Sequence, residues 1–353
     1  MTVPGFLKAR EVVTIAGALI FIVGVGVAQP RFVEYENLTR IANSTVILAL
    51  LAAGAALVII TRNIDVSVGS TMALTGIVGG SMLRDGVSIA VVVPVVILAG
   101  AGLGAVNGIG VTYGRVPSIV MTLGTLGAYR GISFILTSGH SVENIPAEFK
   151  KIAVTKLLGM PVIVWGASAL LIGLMLLMSR TRAGRHLYAT GDNAAGARLI
   201  GVRTNGMVII AFSASGALAA LAALVFLAQI GSVSNQAGMG IEMRAIAAAV
   251  IGGVALSGGV GTILGATFGA VFITTATSSL SFIGIPGFWA DTVIGAILLL
   301  ALFADARVRA GLEKRRLSAR YKRELGGPPE PPPGDRPAPA ALPSEKRIAG
   351  GVA

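Results

Sequence analysis

The 353-residue chain has no cysteine and only two histidines, His140 and His186. Disulfides, thiolate chemistry and cysteine-ligated metals are excluded, and two histidines so far apart in sequence make no metal cluster. No metal site is expected. Charge is scarce as well: Asp, Glu, Lys and Arg make up 12% of residues, about half the share found in soluble domains. No G-x-x-x-x-G-K-[ST] phosphate loop occurs, so any ATPase serving this chain is another polypeptide. No Ser–His–Asp set or paired-carboxylate constellation is present either. Asp65, Glu242 and Asp291, the acids nearest the apolar stretches, are scattered in sequence, and no enzyme is read here.

What is present is apolar. Hydrophobic residues account for 54% of the chain and mean hydropathy is +0.83. The expected fold is an all-α polytopic membrane protein. Apolar runs lie near 12–29, 42–60, 66–83, 88–113, 118–137, 160–178, 207–230, 245–258, 261–283 and 286–304. The third and eighth fall short of the ~20 residues that cross a bilayer, which marks them as broken or re-entrant. Lys8 and Arg10 ahead of the first run mimic a signal peptide, but the many later runs favour an uncleaved helix. Residues 1–306 form the membrane domain, 307–326 a basic cytoplasmic extension, and 327–353 a disordered tail. Eight of the fifteen prolines fall in 328–343, a stretch too polar to pack.

The net charge of +12 sits between apolar runs and in 307–322. That fits anchoring to anionic headgroups of membrane lipids, and no nucleic acid partner is expected. Loops holding Arg62, Arg115 and the set Arg180, Arg182, Arg185, Arg198 and Arg203 would be cytoplasmic. Loops with mixed charge, around Glu34 and Glu143, would be outside. Both termini are then cytoplasmic.

Polar residues interrupt the apolar pattern in two places. TRNIDVSVGS at 61–70 places Arg62, Asn63 and Asp65 between two apolar runs, and NQAGMGIEMR at 235–244 repeats the pattern. Bilayer hydrocarbon tolerates such groups where they line a cavity, pair or serve function. The plain alternative for 61–70 is a short cytoplasmic turn with Arg62 as topology anchor. Each break follows an Ala-rich run. Each precedes a glycine triplet at i, i+4, i+8, namely Gly100, Gly104, Gly108 and Gly261, Gly265, Gly269. Such triplets give helix faces that pack tightly, and the two halves read as a weak internal two-fold repeat.

The loop 179–206 has helix-start chemistry at Gly191-Asp192-Asn193, where Asp192 or Asn193 can cap, followed by AAGARLIG. Ala197, Leu199 and Ile200 are free to pack, either on the membrane surface with Arg198 at headgroups or in a groove of a soluble partner.

Four segments in order resemble one family: TRNIDVSVGS (61–70), PSIVMTLGTLGAYRGISFILTSG (117–139), GRHLYATGDNAAGARLIGVRT (184–204) and EMRAIAAAVIGGVALSGGVGTILGATFGAVF (242–272). They are similar to the ribose-type branch of bacterial ABC importer permeases, over about residues 10–310. Within the branch the chain resembles most the permeases of autoinducer-2 importers, with AQIGSVSNQAGMGIEMRAIAA (228–248) among the matching stretches, and rhamnose permeases next. The resemblance implies an inner-membrane subunit that pairs with a second permease, identical or homologous. It further implies a cytoplasmic ATPase dimer that holds ATP and Mg, and an extracytoplasmic solute-binding protein. No cofactor is implied for this chain. The resemblance maps a coupling helix for the ATPase onto Asp192 to Gly201, which favours docking over the lipid surface. The long Pro-rich tail departs from the family's short tails.

A sugar-like solute needs hydrogen-bond partners along a water-filled path. The candidates are Asn63, Asp65, Ser67 and Ser70 in the first break. Gln229, Asn235, Gln236 and Glu242 belong to the second. Thr122, Thr125, Tyr129 and Arg130 stand on the 118–137 run. The plain reading of each Ser or Thr is interhelical packing. Asp65 with Arg62, and Glu242 with Arg244, are the expected ion pairs if those acids are structural. The alternative class is a self-sufficient secondary transporter with Asp65 or Glu242 as its ion site, which would not need the 184–204 docking loop.

Overall fold

A computed structural model of the chain describes residues 5–282, 284–286, 289–296, 299, 303 and 307. The extension expected at 307–326, Arg307 aside, and the tail expected at 327–353 lie outside these residues.

The described residues fold as α1 (Gly5–Ala28), a 3₁₀ turn (Pro30–Val33), α2 (Tyr35–Ile60), α3 (Val68–Arg84), α4 (Ile89–Thr112), α5 (Ser118–Thr137) and α6 (Ala147–Val154). A two-residue hairpin of β1 (Lys156–Leu157) and β2 (Met160–Pro161) follows. Then come α7 (Val162–Arg180), α8 (Arg182–Asp192), α9 (Ala194–Leu199), α10 (Thr204–Ile230), α11 (Ile241–Ile251) and α12 (Ile263–Phe282). Local chemistry sets several boundaries. Pro117, Pro146 and Pro161 stand just ahead of α5, α6 and α7, where a fixed φ aids entry and no amide donor is missed. Gly231 closes α10 at φ +80, a left-handed stop that glycine adopts freely.

Among the described residues six helices are long and apolar enough to cross a membrane: α2, α4, α5, α7, α10 and α12. The fold class is the expected one, an all-helical polytopic membrane protein. Of the ten apolar runs, nine carry a helix and the tenth has helical residues at 290–296. The two short runs are short helices, α3 with 17 residues and α11 with 11. α2 is the central post, buried without interruption from Leu48 to Ile60. The outer faces of α4, α5 and α7 instead present Leu98, Ile135 and Ile172, side chains that hydrocarbon solvates well.

Gly100, Gly104 and Gly108 lie along the face of α4 that meets α10. A Cβ on Gly104 would overlap the Phe212 carbonyl, and one on Gly100 the Gly216 carbonyl. The main chains therefore touch there. The second triplet is not one helical stripe. Gly265 and Gly269 on α12 pack on Gly252, just past the end of α11, and on Ala248 within it, but Gly261 lies outside the helix at φ +138. No α-helix takes that angle, so its spacing to Gly265 carries no facial meaning.

α3 and α11 both begin partway along the bundle. After α2 ends, residues 63–66, in no regular element, run back alongside it. Asp65 reaches Ser215, which packs on Gly54, six residues and so about 9 Å back up α2. From there α3 continues to the other end. After α10, residues 231–240 return along α3: Val233 packs on Gly80 and Gly76, and Gly238 on Gly69. α11 continues to the end where α2 stopped. The two half-helices thus start near one level and run in opposite directions, the inverted pattern that the weak repeat anticipates.

Candidate functional site

At the first break the chain turns at Arg62, held at φ +65. It then climbs beside α5, with Ile64 N donating to Ser118 Oγ (3.2 Å) and Val66 N to Thr122 Oγ1 (3.2 Å). Asp65 turns into the core. Its Oδ1 accepts from Ser67 N (2.9 Å) and Ser67 Oγ (2.6 Å), and its Oδ2 from Ser215 Oγ (3.3 Å). Ser67 Oγ accepts from Asn107 Nδ2 (2.8 Å), and Asn107 Oδ1 accepts from Thr125 Oγ1 (2.7 Å). One buried network joins the start of α3 to α4, α5 and α10. A buried carboxylate with no cation beside it needs such donors. Tyr129 Oη donates to Leu103 O (2.9 Å) and Ser70 Oγ to Ser67 O (2.9 Å). Asn63 stays local, donating to Thr61 O (3.0 Å). Within this chain Asp65, Ser67, Thr122, Thr125 and Tyr129 therefore bond across segments, while Ser70 bonds back within the first turn of α3.

The second break is held differently. Gln229 Nε2 donates to Asn43 O (2.9 Å) on α2. Arg130 reaches across from α5 and donates to Asn235 O (2.8 Å) and Ala237 O (2.7 Å). Asn235 thus contributes its carbonyl, and Gln236 is exposed. Glu242 Oε1 accepts from Gly240 N (3.3 Å), while its Oε2 is buried with no hydrogen-bond partner.

The two breaks meet. A Cβ on Gly69 would overlap Gly238 O and lie 2.5 Å from Glu242 Oε2. The N-termini of α3 and α11 thus converge, each with a carboxylate accepting from an entry amide, Ser67 N or Gly240 N. Negative charge is favoured at that end of a helix. The place gathers carboxylate oxygens, an arginine, hydroxyls and backbone carbonyls partway along the bundle. Such a set can bind a small hydroxylated solute and supplies no activated nucleophile.

Neither expected ion pair forms. Arg62 turns away from Asp65 because its left-handed backbone (φ +65) reverses the chain before it climbs to Asp65. Its Nε donates to Ser257 O (2.6 Å) and its Nη2 to Asp192 O (2.8 Å). Arg244 pairs with Asp291 (2.6 Å) rather than with Glu242. Asn107, Ser215, Ser118 and Asn43 were not among the residues expected from sequence. Asn107 had a usable signal, as the one amide in the apolar run 88–113.

The loop 179–206 holds two helices, and α8 was unforeseen. Asn193, not Asp192, caps α9: its Oδ1 accepts from Gly196 N (2.9 Å), and Asp192 is the last residue of α8. Gly191 lies so close to Ile60 O that no Cβ fits. Gly259 N donates to Ile60 O (2.9 Å) and Tyr188 Oη to Gly261 O (2.7 Å). The α8–α9 corner is thereby set on the end of α2 and on the glycine-rich loop after α11. Ala197 packs inward at 4% exposure, whereas Leu199 and Ile200 stand 90% and 78% exposed beside Arg198. Gly201 at φ +85 turns the chain toward α10.

A family model described as "Branched-chain amino acid transport system / permease component" matches residues 37–302. Among curated relatives, the Autoinducer 2 import system permease protein LsrC of Escherichia coli (strain K12 / DH10B) is 43% identical over 324 residues, which is 92% of this chain and 95% of the relative. The protein of that name from Photorhabdus laumondii is 42% identical over 316 residues, 90% of this chain and 95% of the relative. That from Salmonella typhi is 42% identical over 322 residues, 91% of this chain and 92% of the relative. No solved structure matches.

Proposed function

Because the chain belongs to this permease family, we propose that it forms the membrane path of an ATP-driven importer for autoinducer-2. It is a multi-pass permease subunit of an ABC importer in the inner membrane, a transporter component and not an enzyme. Such a permease works with an ATPase and a substrate-binding protein. In our reading two permease chains, identical or homologous, sit on an ATPase dimer that carries the ATP and Mg. An extracytoplasmic binding protein delivers the solute. The ligand reading rests on the relatives named above. Rhamnose or another monosaccharide would use the same kind of hydroxyl-binding groups, and an uptake competition between autoinducer-2 and rhamnose separates them.

The observation that carries the coupling role is the exposure of Leu199 and Ile200 at the end of α9. Two large aliphatic side chains standing out beside arginines suit a groove on a soluble partner. Replacing Leu199 with Asp puts an unpaired carboxylate in that groove, at a cost of about 3–5 kcal/mol. We expect ATPase co-purification to be lost while the permease still inserts. Replacing Arg198 with Ala removes a rim charge worth about 1 kcal/mol or less, and the complex should persist. A complex that survives Leu199→Asp and fails with Arg198→Ala would refute docking by the apolar face.

The N-in, C-in orientation follows from the arginine-rich 179–206 loop. In this cysteine-free chain a cysteine replacing Ala195 should label only from the cytoplasm, and one replacing Ala147 only from outside. The reverse labelling would put α9 beyond reach of any ATPase.

A further inference from the structure

We infer that Arg62 is the positioning residue through which movement of the α8–α9 corner reaches both broken helices together. The inference rests on the coupling role proposed for that corner and adds where the motion goes.

The guanidinium bridges two carbonyls that belong to different segments. Its Nη2 holds Asp192 O (2.8 Å), the junction of α8 and α9, and its Nε holds Ser257 O (2.6 Å), in the loop following α11. Arg62 itself lies in the turn that leads, three residues on, to Asp65 and the start of α3. One side chain therefore contacts the segment before one half-helix, the segment after the other, and the corner facing the cytoplasm. The neighbouring backbone leaves little slack. Gly258 and Gly259 sit at φ +79 and +71. A Cβ on Gly258 would overlap the Arg62 side chain, and one on Gly259 would lie 2.8 Å from Asp192 Cα. Parts so closely apposed transmit a displacement instead of absorbing it in side-chain rearrangement.

Arg62 also keeps a left-handed backbone, at φ +65, that is strained for any residue but glycine. A surface anchor needs only positive charge, which any backbone conformation can carry. A planar fork holding two carbonyls at once is specific to arginine, and lysine presents a single ammonium.

The test uses the full complex of permease, ATPase and binding protein in lipid vesicles. Arg62→Lys keeps the charge that topology requires. Arg62→Gly relieves the left-handed strain, so local folding is not penalised. Each is combined with Met239→Cys, a position 69% exposed in the second break. Its rate of labelling by an impermeant maleimide is measured with and without ATP plus vanadate. We expect the parent to show an ATP-dependent change in labelling. In both variants that change should be lost, while insertion and ATPase co-purification are retained. ATP hydrolysed per autoinducer-2 taken up should rise.

If Arg62→Lys keeps the ATP-dependent change, the residue is a charge anchor and the inference is overturned. Retention in Arg62→Gly overturns it as well. A parent that neither binds the ATPase nor responds to ATP overturns the coupling role itself and this inference with it, and is recognised without any Arg62 variant.

Discussion

The two breaks look alike in sequence and are held in opposite ways. At the first, Asp65 has both oxygens engaged by hydroxyls and an amide, and the polar side chains around it are buried and bonded across four helices. At the second, Glu242 uses one oxygen and leaves the other buried without a partner, and the loop before it is fastened by Arg130 to two carbonyls. Satisfied networks rigidify, and unsatisfied polar atoms mark where a structure is poised to bind or move. On this contrast we read the first break as framework and the second as the adjustable side of the same meeting point.

The sharpest way to break this contrast is Asp65→Ala. It orphans Ser67 N, Ser67 Oγ and Ser215 Oγ, at roughly 1–3 kcal/mol for each buried donor left unpaired. We expect the detergent-solubilised permease to lose its monodisperse peak at a clearly lower temperature, and uptake to vanish. A variant as heat-stable as the parent would show that the first break is not framework. Next in size is Gly69→Ala. Its new Cβ would overlap Gly238 O, and overpacking of this kind costs about 1–3 kcal/mol. The strain falls on the contact between the breaks, so initial uptake should drop by roughly tenfold or more, equivalent to about 1.4 kcal/mol. Unchanged uptake would mean that the contact is incidental. The smallest effect on stability should come from Glu242→Gln. The unpaired Oε2 has no bond to lose, so heat stability should stay within about 0.5 kcal/mol, while the apparent KM of uptake changes. Destabilisation comparable to Asp65→Ala would erase the contrast.

Much of this was legible in the chain. Polar residues inside apolar runs located both breaks, and the short third and eighth runs became half-helices because hydrophobic length is itself the quantity a bilayer reads. The helix start at 191–193 was legible because capping is local: the cap and the amide it accepts from are three residues apart. The partners of Arg62 and Arg244 were not legible. Both charges found oxygens far away in sequence, at Ser257, Asp192 and Asp291, and nearness in sequence misled. For Ser67, Thr122 and Thr125, sequence offered either a solute path or packing between helices. The choice needed Asn107, an amide on another helix that accepts from one hydroxyl and donates to another. Gly261 failed for a different reason. Spacing at i, i+4 has meaning only inside a helix, and the stretch 252–262 is a glycine-rich loop.

The glycine face between α4 and α10 has a thermodynamic side. Where Gly104 lies against the Phe212 carbonyl and Gly100 against the Gly216 carbonyl, the contact is made of main chain with no side chain on the α4 side. Closing it freezes few torsions, whereas a seam of leucines would lose about 0.5–1 kcal/mol of rotamer freedom for each residue fixed. Lipid gives helices no hydrophobic push toward one another. An association that sacrifices so little disorder is one that the small dispersion gain of close backbone contact can sustain.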